Sequence, residues 1–387
     1  MTSVDPMSRS DSTPMLDEVL RWTGEPPRAD DPGSATRRWE ASQAAVLSGP
    51  ANGPPRRVPN GVANGLAVLT SVLEALSGLL VDGPTLVAER AVVAGLSRRG
   101  TTSVGGDAHL VEAAGGVVCL NLARPDDVAS IPALLGVTMD PTDWPAVRRA
   151  ISLLTGAELV KRADLLGMPF GVPGTAPDRP LVATIGASRP EVGKQPLVVE
   201  FGSLWAAPLC GALLARAGCR VVKVESVHRP DGARRGPASF FESLNGAKEE
   251  VSVDPSTADG LERVRMLVDA ADVVLEASRP RALAHWGVAA AEEVQRGTVW
   301  ASITGYGRIG PRSGGVAFGD DAAVSGGLML HDPPGFVADA VPDPVTGLLA
   351  AVAVQAALAD GAGALLDLSL AGVARWLADP EADMTVG

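Results

Sequence analysis

The sequence predicts an α/β protein: a Rossmann-like parallel sheet with helices on both faces, plus a smaller α/β domain. In the second half, short apolar runs at 196–202, 219–225, 271–277 and 298–305 alternate with helical stretches. This alternation is typical of a parallel sheet covered on both faces. In the first half, a strand candidate at 116–122 precedes two short helical stretches, which predicts the smaller domain.

Composition divides the chain into four segments. Residues 1–35 are polar and rich in Pro, Ser and Asp, which predicts a flexible arm with one short helix near Leu16–Trp22. Residues 36–175 are expected to hold a degenerate helical segment and the small α/β domain. A Pro-, Ala- and Arg-rich linker at 176–195 then leads to the Rossmann-like domain at 196–387.

Charge and apolar content exclude several classes of partner. A net charge of −12 argues against nucleic acid and anionic membranes as partners. No stretch is judged long and apolar enough to span a membrane, and the N-terminus has no apolar signal region. Cys119, Cys210 and Cys219 lack metal-site spacing, which predicts small core residues, no bound metal and a cytoplasmic location.

The stretch around Asp343 is the most informative one for function. Residues 338–358 read ADAVPDPVTGLLAAVAVQAAL, a polar opening followed by an apolar helix. Pro344 suits a first helical turn, and Asp343 directly before it suits an N-cap with a lowered pKa. Two interpretations stay open: Asp343 only caps the helix, or it is a carboxylate nucleophile at a helix N-terminus.

A weak internal repeat relates 48–76 to 325–358. Both segments run from Ser-Gly through a Pro pair and a polar stretch to an Ala/Leu-rich helix. Aligning Gly65 with Gly347 places Gly61 opposite Asp343, so the early copy lacks the carboxylate. Chance similarity between two Ala-rich helices is the alternative explanation.

Several motifs occur one after another in the second half, and their order is more informative than any one of them alone. They are EFGSLWAAP followed by KVES, Asp231-Gly-Ala-Arg234, Asn245 with Lys248, ADVVLEASRP, GYGRIGP and DPVTG. Over roughly 196–375 this order resembles the family III CoA-transferases, which include formyl-CoA and carnitine CoA-transferases and α-methylacyl-CoA racemases. The first half resembles a part that follows the Asp-bearing helix in ordinary members. The chain is therefore permuted or fuses two incomplete copies.

The resemblance implies a CoA-transferase that moves CoA between an acyl-CoA and a small carboxylic acid through an aspartyl acyl-enzyme. It assigns the nucleophile to Asp343 and implies a homodimer, which is interlocked in the family. The implied CoA contacts are Ser203, Leu204, Trp205, Arg234, Lys248, Ala277 and Ser278. Ser226 replaces the family's basic residue after Lys-Val-Glu, which puts the retention of CoA contacts in question.

Two other classes of function stay open. Asp320 or Asp321, with Asp343, could serve an acyl-CoA racemase or isomerase, although the family's His is absent from VAFGDDAAVSGG. A non-catalytic subunit that pairs with a complete homologue is the third interpretation. Covalent adduct formation, deuterium uptake at Cα and co-purification with another chain distinguish the three.

Overall fold

A computed structural model describes residues 14–188, 193, 195–277 and 281–378. The helices of the first half are α1 (Met15–Trp22), α2 (Pro32–Glu40), α3 (Asn60–Ser77), α4 (Gly83–Ala94), α5 (Pro125–Ala129), α6 (Ile131–Leu135), α7 (Trp144–Ser152) and α8 (Gly156–Leu166). Those of the second half are α9 (Ala206–Arg216), α10 (Ala238–Asn245), α11 (Ala258–Ala270), α12 (Arg281–His285), α13 (Ala290–Gln295), α14 (Gly319–Ser325), α15 (Pro342–Asp360) and α16 (Leu370–Ala378). The strands are β1 (Ala108–Ala113), β2 (Gly116–Asn121), β3 (Phe170–Gly171), β4 (Leu181–Ser188), β5 (Leu197–Phe201), β6 (Arg220–Ser226), β7 (Glu249–Val253), β8 (Val273–Glu276), β9 (Val299–Thr304) and β10 (Ala362–Ser369).

The large sheet confirms the predicted fold class. Its strand order is β4-β10-β9-β8-β5-β6-β7, and every neighbouring pair except β4–β10 is parallel. In the centre, Val199 pairs with both Val222 and Val274. Its apolar runs are buried on both faces, by α9 and α15 on one side and by α11 and α13 on the other.

The smaller α/β unit is also present. Strands β1, β2 and β3 form an antiparallel sheet in that order. Buried residues of α6, α7 and α8, such as Leu134, Ile151 and Leu159, pack against Leu120 and Phe170 of this sheet. The predicted strand at 116–122 and the helices within 144–167 are therefore confirmed.

Two boundary predictions need correction. Part of the supposed flexible arm is packed: Leu16 and Val19 of α1 are buried, and the backbone N–H groups of Met15 and Leu16 each donate to the Asp360 carboxylate at 2.8 Å. The supposed linker at 176–195 contains β4, because LVATIGAS is uncharged and pairs along β10. The rest of the domain division stays a prediction.

Helix α15 lies in the centre of the core. By length and composition it could cross a membrane, contrary to the prediction, but 78% of its apolar window is buried inside the protein. It packs against α3, α9 and the sheet. Helices α3 and α15 therefore cover apolar surface of each other within one chain.

Candidate active site

Asp343 is the second residue of α15 and not its N-cap, which is Val341. Pro342 and Pro344 have no N–H to offer, and the Asp343 N–H donates to the Ala340 carbonyl at 2.8 Å. This helix end is therefore a poor source of free donors for a carboxylate. The half-buried side chain loses hydration, and the resulting desolvation raises the pKa of Asp343 to about 7. The predicted lowering of its pKa is wrong.

The first turn of α14 lies directly against this carboxylate. A Cβ placed on Gly319 would come 2.6 Å from Asp343 Oδ2 and 2.7 Å from the Ala340 carbonyl oxygen. Glycine is therefore required for the two helix ends to approach this closely. The next two residues of α14 are the adjacent carboxylates Asp320 and Asp321.

Both carboxyl groups on α14 titrate in the neutral range. Burial raises the pKa of Asp320 to about 7, and the nearby Asp339 adds to this effect. Burial likewise raises the pKa of Asp321 to about 7. Asp321 Oδ1 accepts from Asn121 Nδ2 at 2.7 Å and from the Phe318 N–H at 3.0 Å, while its Oδ2 is buried without a partner. These two residues and Asp343 are therefore three neighbouring carboxyl groups whose pKa values burial raises to about 7.

A strained turn precedes α15. Ala338 and Ala340 both have φ of 46°, a conformation that costs an alanine about 1–2 kcal/mol. The turn is held by the first half of the chain: Arg90 on α4 makes a two-pronged contact with the buried Asp339, and Ser48 Oγ accepts from the Ala338 N–H at 2.9 Å. Strain of this kind persists where surrounding contacts over-determine the backbone.

Arg90 also interacts with both Asp343 and Trp205 of the predicted CoA loop. Its positive charge lowers the pKa of Asp343, against the larger effect of burial. Its guanidinium carbon lies 5.3 Å from the ring centroid of Trp205. Trp205 is buried, and its indole N–H has no hydrogen-bond partner. Gly347 brings α9 close, since a Cβ there would lie 2.5 Å from the Ala206 carbonyl oxygen.

The other predicted CoA contacts fall at the carboxyl ends of the strands. Ser203 and Leu204 follow β5 and are exposed. Ala277 follows β8 and donates its N–H to the Phe201 carbonyl at 3.1 Å, so these two loops are adjacent. Ser278 lies outside the described residues.

The two predicted cationic contacts are already engaged by protein groups. Lys248 is fully buried, and its ammonium donates to Glu200 at 2.7 Å, to the Pro208 carbonyl at 2.8 Å and to Asn245 at 3.0 Å. These use all three N–H donors of a lysine, so the geometry gives Lys248 a structural role instead of a phosphate contact.

Arg234 is half-exposed but paired. It contacts Glu225 at 2.9 Å and Glu250 at 2.8 Å, and its guanidinium carbon lies 4.3 Å from the Phe241 ring centroid. A phosphate would have to compete with both carboxylates for this guanidinium.

A cleft of about 830 Å³ lies elsewhere, between α8 and segment 311–315. Two of the cations that line it, Arg124 and Arg312, pair with Asp127 and Asp164. The residues that line it include none of the predicted site residues. In the described ranges, no group of three or more His, Cys, Asp or Glu is arranged to hold a metal ion.

Sequence reasoning missed the contributions of the first half. Arg90, Asn121 and Ser103, which hydrogen-bonds Asp320, all come from segments without a catalytic motif. Gly105 packs beside Arg90, since a Cβ placed on this glycine would lie 3.2 Å from the arginine Nη2. The signal that could have found them is the expected resemblance of the first half to a family segment that follows the Asp-bearing helix, which stays a prediction.

The comparison with known families decides the identity of the second half. The family model of CoA-transferase family III matches residues 194–386. The second half of the chain belongs to CoA-transferase family III. The resemblance inferred from the motif order is thereby confirmed.

The curated relatives are distant, and each match covers about half of the relative. The chain is 29% identical over 191 residues to succinyl-CoA–D-citramalate CoA-transferase of Chloroflexus aurantiacus, covering 45% of this chain and 48% of the relative. It is 31% identical over 202 residues to succinate–glutarate CoA-transferase of Agrobacterium fabrum, covering 46% and 50%. The chain thus spans about half the length of the curated relatives it matches. A solved CAIB/BAIF family protein from Brucella suis is 30% identical, with a TM-score of 0.44 over 49% of this chain and 55% of that one.

Proposed function

We propose that this chain is an acyl-CoA:carboxylate CoA-transferase with Asp343 as its nucleophile. The observation that carries the proposal is the half-buried Asp343 carboxylate, packed against the backbone of Gly319 where two helices begin. Membership of the second half in CoA-transferase family III supports it. The names of the relatives support acyl-CoA and dicarboxylic acids as substrates to test first.

The proposed reaction is a chain of acyl exchanges at one carboxylate. A carboxylate oxygen of Asp343 attacks the thioester carbonyl, the C–S bond breaks, and CoA leaves as a thiolate with a mixed anhydride left on the enzyme. The thiolate attacks the aspartyl carbonyl, which releases the first acid and forms an enzyme–CoA thioester. The acceptor carboxylate attacks that thioester, the C–S bond breaks, and a second anhydride forms as the CoA thiolate leaves. The CoA thiolate then attacks the acceptor's acyl carbonyl in this anhydride. This forms the new acyl-CoA and releases the Asp343 carboxylate.

The described residues suit the first of these steps. Partial burial weakens the hydration of the carboxylate, and a pKa of Asp343 near 7 still leaves a large ionised fraction at neutral pH. The Arg90–Asp339 pair holds the turn before α15 and so helps to fix the position of Asp343 in the first turn of that helix. In this proposal the CoA moiety lies along the loops after β5 and β8, with Ser203, Leu204 and Ala277 as contacts. A cytoplasmic location and a homodimer remain part of the proposal.

The direct test is transfer of CoA to a labelled acid. Succinyl-CoA, formyl-CoA and longer acyl-CoAs are each mixed with labelled carboxylic acids, and formation of labelled acyl-CoA is followed. Wild type is expected to turn over at least one pair. Asp343→Asn is expected to lose transfer, because an amide oxygen cannot form the anhydride, while retaining its fold. Transfer at the wild-type rate by Asp343→Asn, with deamidation excluded by peptide mass, contradicts the assignment.

A racemase or isomerase is the second candidate, favoured by one observation. Desolvation raises the pKa of both Asp320 and Asp343 to about 7, a range suited to proton transfer at a carbon next to a thioester. This candidate predicts deuterium uptake at Cα from heavy water without any acceptor acid. The CoA-transferase predicts none under those conditions.

A further inference from the structure

The loop that follows β5 has a strained backbone. Leu204 has φ of 70°, a left-handed conformation that residues with a side chain rarely adopt. Its side chain is 39% exposed at the carboxyl end of the sheet. Strain of this kind is retained where neighbouring groups enforce it, and it concentrates at ligand sites. The groups that enforce this conformation are therefore of functional interest.

Two buried charged side chains hold this loop from beneath. Lys223 on β6 donates to the Gly202 carbonyl at 2.9 Å, and its ammonium lies 3.0 Å from the Asp231 carboxylate. Asp231 Oδ1 in turn accepts from the Leu204 N–H at 2.9 Å. The side chains of Lys223 and Asp231 are fully buried, so protein groups and not water fix their positions.

Lys248 shares the same charge cluster but does not contact the loop. Glu200 accepts from Lys223 at 3.1 Å and from Lys248 at 2.7 Å. The remaining partners of Lys248 are Asn245 and the Pro208 carbonyl. Loss of either lysine removes one buried positive charge from the cluster. Of the two lysines, Lys223 is the one that bonds to the loop directly.

We infer that Lys223 and Asp231 are positioning residues for CoA binding. They fix the backbone of 202–204 so that the exposed side chain of Leu204 packs against an apolar part of the CoA. Both act through the loop, since neither side chain reaches the surface. The inference rests on the proposed function, which supplies the ligand.

Calorimetric titration with free CoA tests the inference on wild type, Leu204→Gly, Lys223→Met and Lys248→Met. Glycine adopts the left-handed conformation without strain, so Leu204→Gly removes only the exposed side chain and keeps the fold. The Kd for CoA is expected to rise roughly tenfold in Leu204→Gly and Lys223→Met, because a contact is lost or the loop must be ordered on binding. In Lys248→Met the Kd is expected to stay at the wild-type value. Both lysine variants are expected to melt at a lower temperature than wild type.

Each outcome decides between a positioning role and a purely structural one. An unchanged Kd in Leu204→Gly and Lys223→Met overturns the inference. Equal weakening in Lys248→Met also overturns it, because the effect then follows from losing any charge of the cluster. If Lys223→Met does not fold, Asp231→Asn breaks the same ion pair more mildly and is expected to raise the Kd in the same direction. A wild-type chain that binds no CoA overturns the proposed function itself, a result distinct from unchanged binding in the variants.

Discussion

At the scale of single residues, the proposed nucleophile Asp343 is expected to react only in its ionised form. Burial raises its pKa to about 7, and the neighbouring Asp320, Asp321 and Asp339 add to this effect. Because only the carboxylate attacks a thioester, the rate of acyl transfer is expected to rise between about pH 6 and pH 8, not near pH 4. Single-turnover rates across this range measure it, and the midpoint belongs to the coupled cluster. A rate that is flat above pH 5 would contradict a buried nucleophile.

The free energy of unfolding is expected to fall as the pH rises, whereas the transfer rate is expected to increase. The folded-state pKa values of Asp320, Asp321 and Asp343 lie above the unfolded value, so the folded protein binds more protons than the unfolded chain between about pH 4 and pH 7. The contribution of these groups to the free energy of unfolding is therefore present at low pH and lost as the pH rises through about 7. Thermal melts of wild type and Asp320→Asn at pH 5 and pH 8 test this. The melting temperature of Asp320→Asn is expected to rise relative to wild type at pH 8. An equal effect at both values would contradict it.

Arg90 is expected to affect both stability and the pH profile. In Arg90→Met, Asp339 is left buried without its partner, which typically costs roughly 3–5 kcal/mol. The lost positive charge also removes an influence that lowers the pKa of Asp343, so the midpoint of the rate profile is expected to move to higher pH. Arg98→Met is the matched control, because within the described part of the chain Arg98 donates to the carbonyls of Val46, Pro50 and Gly53 and not to a carboxylate. An unshifted midpoint in Arg90→Met would contradict an influence of Arg90 on the ionisation of Asp343.

At the scale of elements, the position of α15 depends on its contact with α9. A Cβ on Gly347 would lie 2.5 Å from the Ala206 carbonyl oxygen and 3.1 Å from Leu209 Cβ. Gly347→Ala is therefore expected to lower the free energy of unfolding by about 1–3 kcal/mol through overpacking and to reduce transfer by shifting Asp343. In the control Gly33→Ala, on the first turn of α2, the nearest atom is the movable Arg37 Nη1 at 3.2 Å. Urea denaturation of both variants measures the difference, and equal stability would contradict the packing account.

The elements also show how far sequence could predict this structure. The four parallel strands were predictable because their Val-rich runs are buried on both faces and carry a strong local signal. Strand β10 was missed, since its Ala- and Leu-rich sequence resembles the helix before it and only Gly361 separates the two. Asp343 was found from its motif. Its raised pKa depends on burial and on the charge of Arg90, about 250 positions away in sequence, which local patterns do not encode.

At the scale of the whole molecule, both halves of the chain contribute residues to the candidate site. Gly61 and Asp343 are both second residues of long helices, α3 and α15, and each helix ends at a left-handed glycine. A side chain at Gly61 would meet the Leu377 carbonyl of α16. In the predicted repeat, the position opposite Asp343 is therefore closed by packing, while the charge of Arg90 on α4 acts on Asp343 itself. Because α3 and α15 pack against each other, their apolar faces do not require a second copy of the chain. The oligomeric state remains a prediction, which light scattering tests.

The central claim is that Asp343 becomes acylated, and intact-mass analysis after mixing with an acyl-CoA in the absence of acceptor tests it most directly. The account predicts one adduct per chain, with the mass of the acyl group or of CoA, located by peptide mapping on the peptide that contains Asp343. Asp343→Asn is expected to show none, while Asp320→Asn still forms it. An adduct on another residue, or one that persists in Asp343→Asn, would contradict the account.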